Sequence, residues 1–352
     1  MFPPIEVRVF RGELVESVHL VDAAVVDAQG ALIASAGNPG RITYWRSAAK
    51  PFQLLPLVEA GGVDRFGLDA RDLAVACASH SAEPVHVAQV RHFLAAAGLD
   101  EAMLQCGAHP PLHEPSARLL QARGESPAPI HCNCSGKHAA MLALARLLGA
   151  DTARYLEPEH PVQKRILDAV AAASGMPRER IGVAVDGCGA PVFALELSAM
   201  ARAYARLAAA EEESPLGRIR RAMIEHPYLV AGAGRLSTEA MELLRPELVA
   251  KSGAEGVFCA GLTGPGFGIA LKVRDGAARA AGPALLAILN AAGLLGPGAR
   301  ERLAHHLRPE VRNHSGRVTG HVAADVSHGA FEALRARLEE ASSKSGAAER
   351  NL

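Results

Sequence analysis

The sequence carries no excess of charge of either sign, with 37 basic and 37 acidic residues among 352. A protein that binds nucleic acid usually carries a basic surplus that neutralises phosphates, so we expect no nucleic-acid partner. No apolar run approaches the ~20 residues that span a bilayer, and no block of like charge suggests a membrane-surface anchor. Residues 1–7 lack the basic start and apolar core of a secretory signal. We therefore predict a cytoplasmic protein without a membrane partner.

Cysteine is also sparse, and its six occurrences are dispersed along a long chain. Small secreted proteins use closely spaced cysteines as a disulfide framework, and this spacing argues against membership of that class. We expect reduced thiols, some of them reactive or bound to a metal. They are Cys77, Cys106, Cys132, Cys134, Cys188 and Cys259.

What the chain does carry is an order of strands, then helices, then strands. Short β-type runs fill residues 5–36, and a glycine-rich turn joins predicted strands at 256–262 and 269–273. Residues 106–130 are rich in proline and predict an exposed connection. Helical periodicity marks residues 47–60, 84–97, 134–148, 159–174, 192–209, 215–226, 237–245, 279–294, 298–306 and 327–340, and a last strand is predicted near 317–324.

This order predicts an α+β fold, with a mainly antiparallel sheet built from both chain ends and a largely helical middle. We expect a single catalytic unit over residues 1–341. Its sheet part would take about 1–46 and 250–341, and its helical part about 47–249. The polar segment 342–352 would be a flexible tail.

A Ser-x-x-Lys pattern, Ser47 to Lys50, precedes the first predicted helix. Residues three apart on a helix face one another, so the amine could take the hydroxyl proton, and free backbone N–H groups at the helix start would favour a developing negative charge. The same pattern at a helix start is the acylation device of serine β-lactamases and penicillin-binding proteins. The alternative interpretation is a capping serine beside a solvated lysine.

The densest cluster of reactive side chains is His-Cys-Asn-Cys-Ser-Gly-Lys-His at 131–138. A phosphate-binding loop would need glycine at 131 and Ser or Thr at 138, and both positions are histidine. A zinc site using Cys134 and Lys137, completed by the distant Cys188, is one interpretation. Two reduced thiols, one activated by a helix N-terminus, is the other.

Three further segments offer polar groups. Ser79-His80-Ser81 could add a hydroxyl to a pocket or simply cap a helix. Lys251-Ser252-Gly253 resembles the Lys-Thr/Ser-Gly element that accompanies Ser-x-x-Lys, or is a charged turn. Asp186 could order a bound amine, or is an ordinary turn residue.

Taken together, these segments resemble the bacterial asparaginase II family, which is built on the serine β-lactamase fold. The strings that carry the resemblance are Trp-Arg-Ser-Ala-Ala-Lys-Pro-Phe-Gln at 45–53, Ser-His at 79–80, Asn-Cys-Ser-Gly-Lys-His-Ala at 133–139, Asp-Gly-Cys-Gly at 186–189, and Lys-x-Gly-Ala-Glu-Gly at 251–256. The resemblance extends from about residue 5 to 335.

The resemblance implies roles for individual residues. Ser47 and Lys50 would form a catalytic pair, and Ser79 and Lys137 would act in the same pocket. Cys134, Lys137 and Cys188 would surround one zinc ion, with a water completing its shell. A lysine ligand must be neutral, and a nearby dication with partial burial can lower its pKa accordingly.

Substrate binding is assigned to Arg46, His138, Asp186 and Lys251. Position 237, where some relatives carry a cysteine, is a serine here, so no role is assigned to that position. The predicted function is hydrolysis of L-asparagine to aspartate and ammonia through a seryl acyl-enzyme, in a homodimer. The alternatives are a glutaminase, another serine amidohydrolase or β-lactam-binding enzyme, and a non-catalytic zinc- or redox-sensing protein.

Overall fold

A computed structural model describes residues 2–327 and 329–348 of the chain. The strands are β1 (Ile5–Arg11), β2 (Leu14–Asp27), β3 (Leu32–Ala36), β4 (Ile42–Tyr44), β5 (Gly182–Val185), β6 (Pro191–Glu196), β7 (Leu248–Ser252), β8 (Val257–Leu262), β9 (Phe267–Val273), β10 (Glu310–Arg312) and β11 (Val318–Asp325).

The helices are α1 (Lys50–Glu59), α2 (Gly62–Phe66), α3 (Ala70–Ala76), α4 (Pro84–Ala96), α5 (Glu114–Ala122), α6 (Ser135–Leu147), α7 (Pro161–Ser174), α8 (Leu197–Ala209), α9 (Pro215–Glu225), α10 (Pro227–Val230), α11 (Leu236–Leu243), α12 (Ala278–Ala291), α13 (Pro297–Arg302), α14 (Ala304–Leu307) and α15 (Glu332–Ala348). No helix of the described part of the chain has the length and apolar character needed to cross a membrane.

The chain divides into two compact units, which we call the sheet unit and the helical unit. The sheet unit takes the described residues of Met1–Thr43, Leu195–Ala209 and Leu243–Leu352, and the helical unit takes Tyr44–Ala194 and Ala210–Glu242. The sequence assigned α8 to the helical part, and this is wrong because α8 packs on strands β2, β8 and β9 of the sheet.

The sheet has the order β10-β11-β1-β2-β9-β8-β7, and β3 also pairs with β2. Its pairings are antiparallel, and its strands come from both ends of the chain, as predicted. All residues of β8 and β9 are buried, which explains their continuous apolar sequences. At Gly268 of β9 a Cβ would lie 1.8 Å from the Ala201 carbonyl oxygen of α8, so only glycine permits this close packing.

The helical unit contains α1–α7 and α9–α10, with most of α11, all of β5 and most of β6. Its central helices are apolar on all sides: every residue of α1 except Glu59 is buried, as are the first eleven residues of α6. The predicted connection at 106–130 is partly wrong, because it contains α5, an exposed helix with no buried side chain.

Other elements also differ from the prediction. Residues 191–196 form strand β6 rather than the start of a helix, and β7 precedes the predicted late strands. The last helix begins at Glu332 and continues to Ala348, into the predicted tail, and residues 349–352 lie outside the described residues.

Candidate active site

The Ser-x-x-Lys segment forms a tight turn and not the first turn of an α-helix. Residues Arg46–Ala49 are a 3₁₀ helix, α1 begins at Lys50, and the Lys50 N–H donates to the Ser47 carbonyl. Arg46 has φ +55°, a left-handed conformation that is uncommon for a residue with a side chain. Trp45 is fully buried and its N–H donates to the Phe193 carbonyl at 2.8 Å. The turn is thereby fixed on the rest of the helical unit.

Lys50 is fully buried and its amine is saturated with acceptors. Its Nζ donates to the Ala78 carbonyl, to Ser79 Oγ at 3.1 Å and to the Asn133 carbonyl at 3.2 Å. An ammonium group has three N–H donors, and these contacts use all of them. The lysine therefore contacts Ser79, and the contact predicted between Ser47 and Lys50 is not among the hydrogen bonds of the described residues. The Ser47 side chain is half-buried.

The loop that carries Ser79 is held at several points. The Ser79 N–H donates to the Val230 carbonyl at 3.0 Å. His80 Nδ1 accepts the Ala82 N–H, so its Nε2–H donates to Ser135 Oγ at 2.9 Å. Burial lowers the pKa of His80 well below its ordinary value, which keeps the ring neutral. Glu83 accepts hydrogen bonds from Tyr228 Oη and from the Ala233 N–H.

The start of α6 brings the thiol-rich segment to the same place. Gly136 is required there, because a Cβ would lie 2.1 Å from the Val75 carbonyl oxygen. Lys137 is buried and its Nζ lies 3.0 Å from Cys188 Sγ. The Cys134 and Cys188 thiols shift one another's pKa, which indicates that they lie close together. The predicted metal ligands are therefore neighbours.

The hairpin β5–β6 supplies Asp186 and Cys188 from its connecting loop. The Asp186 N–H donates to the Ala190 carbonyl at 2.9 Å, which closes the loop. Asp186 Oδ1 accepts from Arg46 Nε at 2.9 Å and also from the Gly187 N–H. The Arg46 and Asp186 side chains are 26% and 10% exposed, so a charge of each sign remains accessible. Two predicted substrate-binding residues are thus brought together.

His138 has an unusual environment for a buried ring. Its Nδ1 lies 2.7 Å from Tyr155 Oη, and Tyr155 Oη accepts the Gln105 N–H at 3.0 Å. The tyrosine hydroxyl therefore donates its proton to Nδ1, so the neutral imidazole carries its own proton on Nε2. Among the described residues, buried Nε2 has no hydrogen-bond partner. Burial and the charge of Lys137 lower the pKa of His138 to about 3.

The family of the chain follows from a comparison with family models. The model of the family described as L-asparaginase II matches residues 7–324. The chain belongs to the L-asparaginase II family. It is therefore an asparaginase-type amidohydrolase acting on a small-molecule amide.

Two solved structures are similar to this asparaginase II chain. One is a β-lactamase from Mycobacterium bovis, with 14% identity over 82% of this chain and 95% of the other, at a TM-score of 0.39. The second, from Bacteroides dorei, is assigned provisionally as a β-lactamase, with 12% identity over 77% and 85% of the two chains and a TM-score of 0.37. At these scores we draw nothing about function from the likeness. No curated protein matched the sequence.

The electrostatics of this asparaginase II site suit a soft cation. Hydrogen bonds from Cys132 and Cys188 hold the pKa of Cys134 well below its ordinary value. Burial opposes a charge on Lys137, but the Cys134 and Cys188 sulfurs outweigh burial and raise the pKa of the amine. Two buried thiols and one amine form the donor set, which fits zinc provided that the amine gives up its proton.

Sequence reasoning missed several members of the site. Tyr155 belongs to no motif, and the carbonyl groups of Ala78 and Asn133 cannot be recognised from residue type. Lys251 lies on β7 in the sheet unit, where its Nζ donates to the Ser252 carbonyl at 2.8 Å. Its assignment to substrate binding stays a prediction.

Proposed function

We propose that this protein hydrolyses L-asparagine to L-aspartate and ammonia through an acyl-enzyme on Ser47. The observation that carries the proposal is the buried Lys50 amine in contact with Ser79 Oγ, three residues along the chain from an accessible serine. A buried lysine beside a hydroxyl can exchange a proton with it, because little solvent competes. The family supplies the reaction class, amide hydrolysis.

Ser47 is proposed as the nucleophile because its side chain is half-buried and makes no hydrogen bond with other described residues. Its proton would pass to Lys50 as Oγ attacks the side-chain amide carbon of the substrate, and N–H groups at the start of the turn would hold the oxyanion. The Lys50 amine must first lose one proton, through Ser79 Oγ toward solvent, and release one of its three present contacts, because only the neutral amine can accept the Ser47 proton. Ser79 already lies in contact with the amine and would relay the proton from Lys50 to the departing ammonia.

Arg46 and Asp186 provide the proposed recognition of the amino-acid end. The guanidinium group would bind the α-carboxylate, and the free oxygen of the Asp186 carboxylate would bind the α-ammonium. We assign His138 Nε2–H, the unpartnered buried donor, to a polar group of the bound substrate. Such charged contacts select free amino acids over peptides. They do not by themselves select asparagine over glutamine, since one methylene is worth only about 1–3 kcal/mol.

One zinc ion, held by Cys134, Cys188 and Lys137, is part of the proposal. When bound, zinc would supply positive charge that tunes the pocket and orients the substrate, and would not generate the nucleophile. Cytoplasmic location and a homodimer complete the proposal. Light scattering on the purified protein would measure the oligomeric state.

The test is ammonia release from asparagine and glutamine by the wild-type protein and by Ser47→Ala. We expect turnover of asparagine and a fall of at least ~10³-fold in the variant. Ser81→Ala is the matched control, since Ser81 Oγ lies in the Ser79 loop and donates to the Ala231 carbonyl at 2.8 Å. Near-normal turnover by Ser47→Ala would move the ester to another serine. A chain inactive on both amides and on a chromogenic cephalosporin would favour the non-catalytic alternative.

A further inference from the structure

Two cysteines beside the site have no part in the proposed zinc set. Cys106 and Cys132 are buried, with 4% and 3% of their surface exposed. The Cys132 thiol also lies 3.6 Å from the Cys106 carbonyl oxygen. The Pro129 carbonyl accepts both the Cys106 thiol at 3.2 Å and the Cys132 N–H at 3.0 Å. Both the side chains and the backbones of the two residues therefore converge.

The sulfurs of this region form an extended chain and not a cage. Each thiol changes the pKa of the next one in the order Cys106, Cys132, Cys134 and Cys188. No three cysteine sulfurs of the described residues lie mutually within 4.8 Å. A preformed three- or four-thiolate metal site is excluded by this arrangement, whereas chemistry between neighbouring pairs is favoured.

We propose that Cys106 and Cys132 are an oxidation site that a hydroperoxide converts into a disulfide, and that this disulfide slows the enzyme. One thiol is oxidised by the hydroperoxide to a sulfenic acid, releasing water or an alcohol. The second thiol then displaces water from it and forms the S–S bond. In total the two thiols lose two electrons and two protons, and the O–O bond of the hydroperoxide is reduced.

The pair is placed where a small oxidant can reach it. Both residues are nearly buried, but the neighbours of Cys106 in the chain, Gln105 and Gly107, are exposed. Cys77 and Cys259, by contrast, are fully buried. Access therefore favours the Cys106–Cys132 pair over those two thiols, and the proposed zinc would occupy Cys134 and Cys188, which are 5% and 6% exposed.

The coupling to activity passes through Asn133, the residue after Cys132. Its carbonyl accepts the Lys50 amine at 3.2 Å, and its side-chain amide lies 3.3 Å from Cys134 Sγ. A disulfide requires the sulfurs to approach to about 2.05 Å, which pulls Cys132 toward Cys106. Asn133 must follow, so the amine loses part of its alignment. This consequence rests on the proposed role of Lys50, whereas the disulfide itself does not.

The test is treatment of the full-length, zinc-replete protein with hydrogen peroxide, followed by alkylation and peptide mapping. We expect a linkage between the peptides of Cys106 and Cys132 and a reversible fall in turnover of up to about 100-fold, recovered with dithiothreitol. Cys132 and Cys134 share the tryptic peptide 124–137, so fragmentation between them must assign the linked sulfur.

Cys106→Ser is the decisive variant, because its hydroxyl can still donate to the Pro129 carbonyl. It should keep its basal turnover and lose the peroxide sensitivity, whereas Cys259→Ala should stay sensitive. A linkage of Cys134 to Cys188, or no linkage of Cys106, would overturn the oxidation site. A mapped Cys106–Cys132 bond with unchanged turnover would overturn its effect on the enzyme. Peptide mapping detects the disulfide even in a protein that proves inactive on amides. Failure of the proposed function is therefore distinguishable from failure of the oxidation site.

Discussion

Two buried polar clusters, one in each unit, use charge in opposite ways. In the sheet unit, fully buried Asp22 accepts hydrogen bonds from two arginines, Arg41 and Arg274, and from the Asn38 N–H. In the helical unit, Lys50 and Lys137 are buried beside carbonyls, a hydroxyl and thiols. Within the described residues, neither lysine pairs with a carboxylate.

The difference separates a structural cluster from a reactive one. A buried carboxylate with two guanidinium partners is held in one protonation state over a wide pH range. A buried amine beside a hydroxyl or thiols can exchange its proton with them, although the Cys134 and Cys188 sulfurs favour the charged form of Lys137. The carboxylate of the sheet unit is therefore placed to stabilise the fold, whereas under the proposed function the Lys50 amine of the helical unit serves the chemistry.

Replacing Lys50 by methionine should give the largest effect on activity. Loss of the proton carrier should lower turnover by at least ~10³-fold. Relief of the buried charge offsets the lost hydrogen bonds, so the free energy of unfolding should change by no more than about 2 kcal/mol. Ammonia release and denaturant unfolding measure the two quantities.

The matched control is Lys272→Met in the sheet unit. Lys272 is also buried, and it donates to the Glu255 carbonyl at 2.7 Å. The control should cost stability and leave the turnover per folded molecule unchanged. Equal losses of turnover in both variants would remove the distinction between the clusters.

Asp22→Asn should show the reverse pattern, a loss of stability with turnover retained. Removing the charge leaves two arginines facing a neutral group, which costs about 3 kcal/mol. Burial would raise the pKa of Asp22, but the hydrogen bonds of Arg274, Asn38 and Arg41 lower it overall. Its stabilisation is therefore present above the unfolded pKa of about 3.9 and lost as the pH falls further.

Unfolding of wild type and Asp22→Asn at neutral and acidic pH tests this, because the variant should lose the pH-dependent part. Glu16→Gln is the control, since the exposed Arg11–Glu16 pair is screened by solvent and should contribute little to stability. A variant as stable as wild type at neutral pH would show that the Asp22 cluster does not stabilise the fold.

The two clusters were not equally visible in the sequence. Long amphipathic helices such as α4, α7 and α9 follow from their apolar periodicity, and the Ser-x-x-Lys and Asn-Cys-Ser-Gly-Lys-His strings locate most of the reactive cluster. Asp22 lies within a long apolar strand and its partners are remote in sequence, so no local pattern marks it. Motifs identify chemistry, whereas ion pairs between distant residues need the fold.

The missed elements have physical reasons as well. Strand β5 is short and largely exposed on both faces, so it lacks an alternating pattern, and hairpin β5–β6 went unpredicted. The 3₁₀ turn at Arg46–Ala49 depends on a positive φ at an arginine, which sequence does not announce. Lys50 takes two of its three partners from backbone carbonyls, and these are set by tertiary structure alone.

Removal of the proposed zinc sharpens the comparison within the reactive cluster. If the ion tunes the pocket and Ser47 is the nucleophile, chelation should lower turnover by about 10–100-fold and leave measurable activity. Elemental analysis of protein purified without chelator should find one zinc per chain, and Cys188→Ser should lose it. Absence of zinc would remove the site, and complete, zinc-reversible inactivation would assign the metal a direct role in the reaction.

Tyr155→Phe should have the smallest effect and tests how the reactive cluster is oriented. The hydroxyl fixes the tautomer of His138 and accepts the Gln105 N–H, so its loss leaves the buried His138 Nδ1 without a partner, at about 1–3 kcal/mol. The imidazole proton is then free to move to Nδ1, which removes the Nε2–H donor proposed for the substrate. We expect a raised KM for asparagine with a smaller change in kcat, and nitrogen NMR of His138 should show the change of tautomer.

His138→Gln, which can still donate from a similar position, should retain more affinity than His138→Ala. A Tyr155→Phe protein with lowered stability but unchanged KM and tautomer would limit Tyr155 to a packing role.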